Sequence, residues 1–193
     1  MLRDQPFTNS LLINLLLGAI WHYVTFIICV SVNTSFFDPN KKMYRPHKWE
    51  NGGKFYNDIL KINRWKDVLP QHIGKDGFSK DHLDDTSVPY LDEFIMETCR
   101  GEWNHTMNCL FAVVLFIINN FLTALILTLC LLAGNLPFAV IQRYNRFRLQ
   151  KLRNMLIRKA ERSRKKEQKL VQNTAEEIAA ASSITEEKTA DGV

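Results

Sequence analysis

The densest group of side chains able to do chemistry is Glu97-Thr98-Cys99-Arg100-Gly101-Glu102-Trp103-Asn104-His105, immediately before a long apolar run. On a helix, Glu97, Arg100, Gly101, Asn104, His105 and Asn108 fall at steps of three and four, so a carboxylate, a guanidinium and an imidazole share one face. Imidazole is the side-chain type that ordinarily titrates near neutrality, which makes His105 the candidate proton acceptor. The same residues also suit a purely structural arrangement, with Glu97 paired to Arg100 and His105 capping or snorkelling at a membrane boundary. Glu102-x-x-His105 has the spacing of carboxylate-bridged di-iron helices, but the chain has no second Glu-x-x-His, so no metal is expected. There is no Gly-x-Ser-x-Gly elbow, no glycine-rich phosphate cradle and no His-Glu-x-x-His. His72 and His82 have aspartates nearby and read as loop residues.

The elements that must position this face are set by where charge is absent. No Asp, Glu, Lys or Arg occurs in the 33 residues between Asp4 and Asp38, or in the 37 between His105 and Arg143. Runs of this length match the roughly 20 apolar residues that cross a bilayer, so an all-α integral membrane protein is expected. The first run, residues 8–32, is too long for a signal-peptide core and reads as a retained transmembrane helix. Asn14, Gly18, Trp21, His22 and Thr25 lie on it at steps of three and four, a small and polar stripe facing a bundle, with His22 a packing residue there. As one helix, residues 106–142 would measure about 55 Å, nearly twice a hydrocarbon core. Asn119-Asn120 near its middle suits a tight turn, which divides the run into helices over 104–118 and 121–142.

Topology follows from the basic residues. The stretch from Arg143 to Lys169 holds 12 Lys or Arg against 2 Glu and belongs on the cytoplasmic side. With a hairpin, the middle segment 38–105, with its 11 basic residues, is cytoplasmic too, and Arg3 at the N-terminus is outside. A single crossing would put the middle segment outside, so three crossings fit the positive-inside rule better. Within the middle segment, Phe55, Ile59, Ile62 and Leu69 at helical spacing, beside Lys54, Lys61, Arg64 and Lys66, predict an interfacial amphipathic helix. Trp49, Tyr56 and Trp65 are residue types that settle at headgroup depth. The membrane-embedded part is expected to span residues 1–158, with an interfacial segment over 38–103. Residues 159–193 form a basic then acidic tail, helical to about Ile178 and disordered after Ala179.

The net charge of +5 comes from residues 143–193, which hold 13 Lys or Arg against 7 Asp or Glu. No Cys/His finger, RNA-binding aromatic motif or recognition helix accompanies it, so the expected partners are membrane lipids and not nucleic acid. Cys29, Cys109 and Cys130 lie in apolar runs and Cys99 stands alone, so nothing calls for disulfides or an oxidising compartment.

Five motifs in order carry a family resemblance: Trp49-Glu50-x-x-Gly53-x-Phe55-Tyr56, Arg64-Trp65-Lys66-Asp67-x-Leu69-Pro70, Phe78-Ser79-Lys80, Glu97-Thr98-Cys99-Arg100-x-Glu102-x-x-His105, and Asn135-Leu136-Pro137 running into Gln142-Arg143-Tyr144-Asn145-Arg146-x-Arg148-Leu149. Over about residues 10–153 the chain resembles the glycosyl-4,4'-diaponeurosporenoate acyltransferases, the CrtO-type bacterial enzymes of staphyloxanthin synthesis. The resemblance implies a small cell-membrane enzyme that moves a fatty acyl group from an acyl thioester, on coenzyme A or acyl carrier protein, to a sugar hydroxyl of a glycosylated lipid. It implies no bound cofactor. Such chemistry needs a base near the attacking oxygen and donors for the oxyanion. His105 is then the candidate base, oriented by Glu102 or Glu97. Arg100, Asn104 or Arg143 are candidates for the oxyanion or donor phosphates, and Glu97 or Glu50 for the sugar. Trp49, Trp65, Lys66, Asn145 and Arg146 lie in the matching motifs and join the candidate substrate-binding set. A membrane adaptor that recruits anionic lipids or partner proteins is the competing reading; it would leave the polar face at 97–108 paired locally instead of converging.

The topology makes a direct expectation. A single cysteine at position 87, in a background lacking the four native cysteines, should resist impermeant thiol reagents in intact cells. Labelling there from outside would remove the three-crossing arrangement.

Overall fold

The computed structural model describes residues 7–69 and 87–190, with side chains as far as Thr174. His72, His82 and the Phe78-Ser79-Lys80 motif lie outside the described residues. Every helix or turn of helix among the described residues belongs to one of five α-helices or to single 3₁₀ turns: α1 Phe7–Ser31, α2 Lys54–Asp58, α3 Val88–Cys109, α4 Phe111–Ile118 and α5 Phe121–Ala190. No strand occurs among them. The chain divides into two compact units, Met1–Lys151 and Leu152–Val193. In the second unit the helix continues to Ala190, past Ala179, where the composition suggested disorder.

In the first unit α1 packs on α3 and α4. Its pattern is the reverse of a water-soluble helix. Ser10, Asn14 and Thr25 are buried, while Leu12, Leu15, Leu16, Ile20, Tyr23 and Val24 are exposed. An apolar outer surface around a polar seam suits a lipid surround, where helices associate through small side chains and hydrogen bonds. Among the described residues, Thr8–Ser31 and Phe121–Thr174 are long and apolar enough to cross a membrane.

The seam sets the register. Asn14 Nδ2 donates to Asn119 Oδ1 and Asn119 Nδ2 donates back to Asn14 Oδ1, both at 2.8 Å. Ser10 Oγ adds a third bond to Asn119 Oδ1 at 3.0 Å. A Cβ on Gly18 would touch the Phe111 ring at 3.4 Å, Trp21 Nε1 donates to the Met107 carbonyl at 3.1 Å, and Thr25 Oγ1 donates to Asn108 Oδ1 at 2.7 Å. Positions rise on α1 as they fall on α3 and α4, so the helices run antiparallel. His22 is exposed and off the seam; the facing positions are 14, 18, 21 and 25, and the side chain next to Trp21 turns about 100° away from it.

The Asn119-Asn120 break lies where the sequence placed it. Asn119 is extended, with φ −106° and ψ 169°, and Asn120 Oδ1 accepts from the Thr123 N–H at 3.0 Å as a cap for α5. The apolar arm before it is not one helix over 104–118. It is the end of α3 plus the eight residues of α4, interrupted at Leu110.

The expected interfacial helix from Phe55 to Leu69 does not form. Left-handed backbone at Lys61 breaks the stretch into α2 and single turns. Of the side chains assigned to the apolar face, Ile62 is buried with Tyr56 against Ile141 and Tyr144 of α5, flanked by Phe55, Trp65, Leu69 and Phe147, while Ile59 stays exposed. Gly53 has φ +90°, and a Cβ there would come within 3.1 Å of the Phe147 Cβ, so both conformation and space demand glycine.

The Asn14–Asn119 pair should hold α1 to the hairpin break. In a double-mutant cycle with Asn14→Ala and Asn119→Ala in detergent, a coupling of about 0.5–2 kcal/mol is expected. Strictly additive losses would show that the pair contributes nothing.

Candidate functional site

Where α3 passes α5 at close range, buried charges gather. Gly101 permits the approach, since a Cβ there would lie 2.9 Å from the Gln142 side chain. Next to it sits Arg143, 7 % exposed. Its Nε donates to Glu50 Oε1 at 2.7 Å and one Nη2 hydrogen to Glu50 Oε2 at 2.9 Å, a two-point grip on the carboxylate. The remaining donors go to the Met43 carbonyl at 3.0 Å, Glu102 Oε1 at 3.2 Å and the Arg45 carbonyl at 2.6 Å. All five guanidinium hydrogens are therefore used.

Glu50 is fully buried. The turn Lys48–Gly53 that carries it closes because Glu50 Oε2 also accepts from the His47 N–H, while Oε1 accepts from the Tyr56 hydroxyl at 2.5 Å. Burial alone would raise its pKa. The hydrogen bonds from Arg143, His47 and Tyr56 outweigh burial and hold the carboxyl below the ordinary 4.5. The Tyr56 hydroxyl is pushed upward by burial and by the carboxylate it serves.

Glu102 is the bridge. One oxygen meets Arg143 and the other meets Arg146 Nη2. Arg146 is 2 % exposed, donates to Cys99 Sγ at 3.3 Å and lies over the Tyr44 ring at 5.5 Å. Burial pushes the Cys99 thiol up to about 11 against the opposing pull of Arg146. It therefore stays protonated at neutral pH.

The polar face at 97–108 thus does not converge on one point: Glu97 and Arg100 are paired locally, as the adaptor reading expected, while His105 turns to α5. Glu97 pairs with Arg100, whose guanidinium lies 5.2 Å from the Phe37 ring centroid. His105 lies one turn beyond Glu102 and approaches α5: its Nδ1 is 3.3 Å from Asn135 Oδ1, and its ring stacks on Phe138 with centroids 5.2 Å apart. The hydrogen bond on Nδ1 is therefore to Asn135, and not to the Glu102 or Glu97 expected to orient the ring. Asn135 is anchored in turn, its Nδ2 donating to the Leu131 carbonyl at 3.1 Å. That bond fixes the amide so that Oδ1 faces His105, which makes Nδ1–H the donor and puts the ring lone pair on Nε2. Asn104 Oδ1 and Arg100 Nε are buried without a hydrogen-bond partner.

The other expected site residues lie apart from His105 in their contacts. Trp49 is exposed and edge-on to Phe55. Trp65 Nε1 donates to the Leu60 carbonyl at 2.9 Å, Lys66 pairs with Asp67, and Asn145 is half-buried between the network's two arginines in sequence. Asn135, Tyr44 and Tyr56 are the residues that reasoning from local spacing missed. Asn135 and Tyr56 sat in the quoted motifs, but a partner 30 residues from His105 has no local signature.

Glu50 yields a sign-checked expectation. A carboxyl whose folded-state pKa is depressed adds stability that is fully present above its ordinary value and is lost as pH falls through the lower one. Thermal unfolding in detergent should therefore show a loss that sets in below about pH 4.5. Glu50→Gln should be less stable at neutral pH by about 3–5 kcal/mol, because Arg143 loses its charge partner, and should lack this acid limb. An unchanged acid limb in that variant would contradict the assignment.

A family model described as glycosyl-4,4'-diaponeurosporenoate acyltransferase (CrtO) matches residues 40–155, which include the whole charge network, His105 and Asn135. The glycosyl-4,4'-diaponeurosporenoate acyltransferase of Staphylococcus aureus strain Newman is 30% identical over 122 residues, 62% of this chain and 73% of that protein. The enzyme of the same name from strain MRSA252 is 28% identical over 129 residues, 66% and 78% of the two chains. No solved structure matches. With more than half its length matched by the family model, and its buried Glu50–Arg143–Glu102–Arg146 network within that match, the chain belongs to the glycosyl-4,4'-diaponeurosporenoate acyltransferase family and is an acyltransferase.

Proposed function

We propose that the protein is a multi-pass membrane O-acyltransferase that moves a fatty acyl group from a cytosolic acyl thioester to a sugar hydroxyl of a glycosylated lipid, a glycosyl carotenoid by analogy with the named relatives. Three crossings, with the middle segment and tail cytoplasmic and the N-terminus outside, bring the 97–105 face to the leaflet that a cytosolic thioester reaches.

The observation that carries this reading is the chain of contacts Leu131 carbonyl, Asn135 amide, His105 imidazole. It holds the half-buried ring by Nδ1 beside apolar Phe138, an orientation in which the imidazole would act as the base toward a sugar hydroxyl. The sugar oxygen would attack the thioester carbonyl while His105 Nε2 accepts its proton. A carbon–oxygen bond forms, the carbon–sulfur bond breaks, and the proton passes to the departing thiolate. Arg100 Nε and the amide hydrogens of Asn104 on the same helix are donors that could hold the oxyanion. Glu97 holds Arg100 in place. The Glu50–Arg143–Glu102–Arg146 network is saturated internally and serves as the frame that clamps α3 to α5. Trp49, Trp65, Lys66 and Asn145 are left to the headgroup and donor.

The test is acyl transfer by purified protein in nanodiscs, with a labelled acyl thioester and a glycosylated lipid. His105→Gln keeps hydrogen bonding but removes the base, so turnover should fall by roughly two to four orders of magnitude at unchanged abundance and unfolding midpoint. Retention of most activity would overturn the role of His105.

A further inference from the structure

The second unit, Leu152–Val193, carries a dense run of positive charge. Residues 152–174 hold eight Lys or Arg against two Glu. Five of them, Arg158, Arg162, Lys165, Lys166 and Lys169, follow each other at steps of four, three, one and three and fall on one face of α5. All five are exposed, and none enters any ion pair found among the described residues. The stripe rises about 16 Å along the axis, the length of a few helical turns. Residues 156–193 also lie beyond the part matched by the family model.

We propose that this stripe is the docking surface for an acidic carrier protein that delivers the acyl chain as a thioester. The inference rests on the acyl-transfer reading above and deepens it by naming the donor's class. Charge complementarity is the argument: a stripe of five cations on one face fits an acidic helix of similar length and exceeds what the phosphates of a nucleotide thioester would engage. A lipid surface fits less well. Charge alone can draw a polybasic helix to anionic lipid, an outcome the test below separates, but seating in the interface also needs an apolar face between the cationic flanks, and the exposed Met155, Leu170 and Val171 lie beyond the ends of the stripe. Between Arg158 and Lys169 the opposite face carries Ala160, Ser163, Arg164 and Glu167, and residues 152–174 contain no Phe, Trp or Tyr.

The test uses the full-length protein in phosphatidylcholine nanodiscs, with bacterial acyl carrier protein bearing a saturated acyl chain as the probe. Binding and acyl transfer are measured for wild type, for the five-fold Glu variant of Arg158, Arg162, Lys165, Lys166 and Lys169, and for the corresponding five-fold Gln variant. Wild type should bind the carrier with an affinity that falls as salt rises. Both variants should bind at least about tenfold more weakly and show a KM for the carrier-borne donor raised by the same factor, Glu more than Gln. With the coenzyme A thioester, kcat and KM should change less than twofold. Equal carrier binding by all three proteins would overturn the proposal, as would equal losses with both donors. A loss seen only when anionic lipid is added would assign the stripe to the membrane instead. Absence of transfer from either donor would remove the acyl-transfer reading, while the binding measurement would still decide the docking surface.

Discussion

A single guanidinium holds the first unit together. Arg143 is buried, and a buried charge is tolerated only when its donors and its charge are both met. Two carboxylate oxygens of Glu50, one of Glu102 and the carbonyls of Met43 and Arg45 meet all five hydrogens. These partners come from two places in the chain, the turns at 43–50 and α3, and Arg143 brings both to α5. Removing any acid would leave a cation stranded, so the middle segment is obliged to fold back on α5. Tyr56, His47 and Arg146 complete the shell, and the left-handed turn ending at Gly53 is the backbone cost of bringing Glu50 in.

A second constraint acts on the apolar side. With apolar side chains facing outward, α1 has no hydrophobic gain to hold it to α3 and α4, and polar groups do that work instead. The Asn14–Asn119 pair fixes the break between α4 and α5, and Thr25–Asn108 fixes the far end of the seam. With α3 located from one side by α1 and from the other by Glu102, His105 has one place to go. It reaches the turn of α5 that carries Asn135 and Phe138, one helical turn from the charge network, where the surroundings change from ionic to apolar.

Much of this was legible in the sequence, for physical reasons that differ by element. The apolar runs and the Asn119-Asn120 break are local properties of composition and turn chemistry, and each appears where expected. The motifs containing Glu50, Glu102, Arg143 and Arg146 were legible as a set, but not as a network, because each ion pair joins residues 41 to 93 positions apart. The segment Phe55–Leu69 shows the opposite failure. Its spacing was that of an amphipathic helix, but left-handed Lys61 and the demand of α5 for Tyr56 and Ile62 overrode the periodicity. His22 misled because steps of three and four admit two neighbouring positions to one stripe, and only packing chooses between them.

The central claim is chemical: a sugar hydroxyl of a membrane lipid gains an ester. Mass spectrometry of lipid extracts from otherwise identical cells, with and without this protein, reads that change directly. The account predicts a glycolipid carrying an extra acyl chain that disappears without the protein, while its unacylated glycosyl precursor accumulates. An identical set of acylated and unacylated glycolipids in both extracts would contradict it.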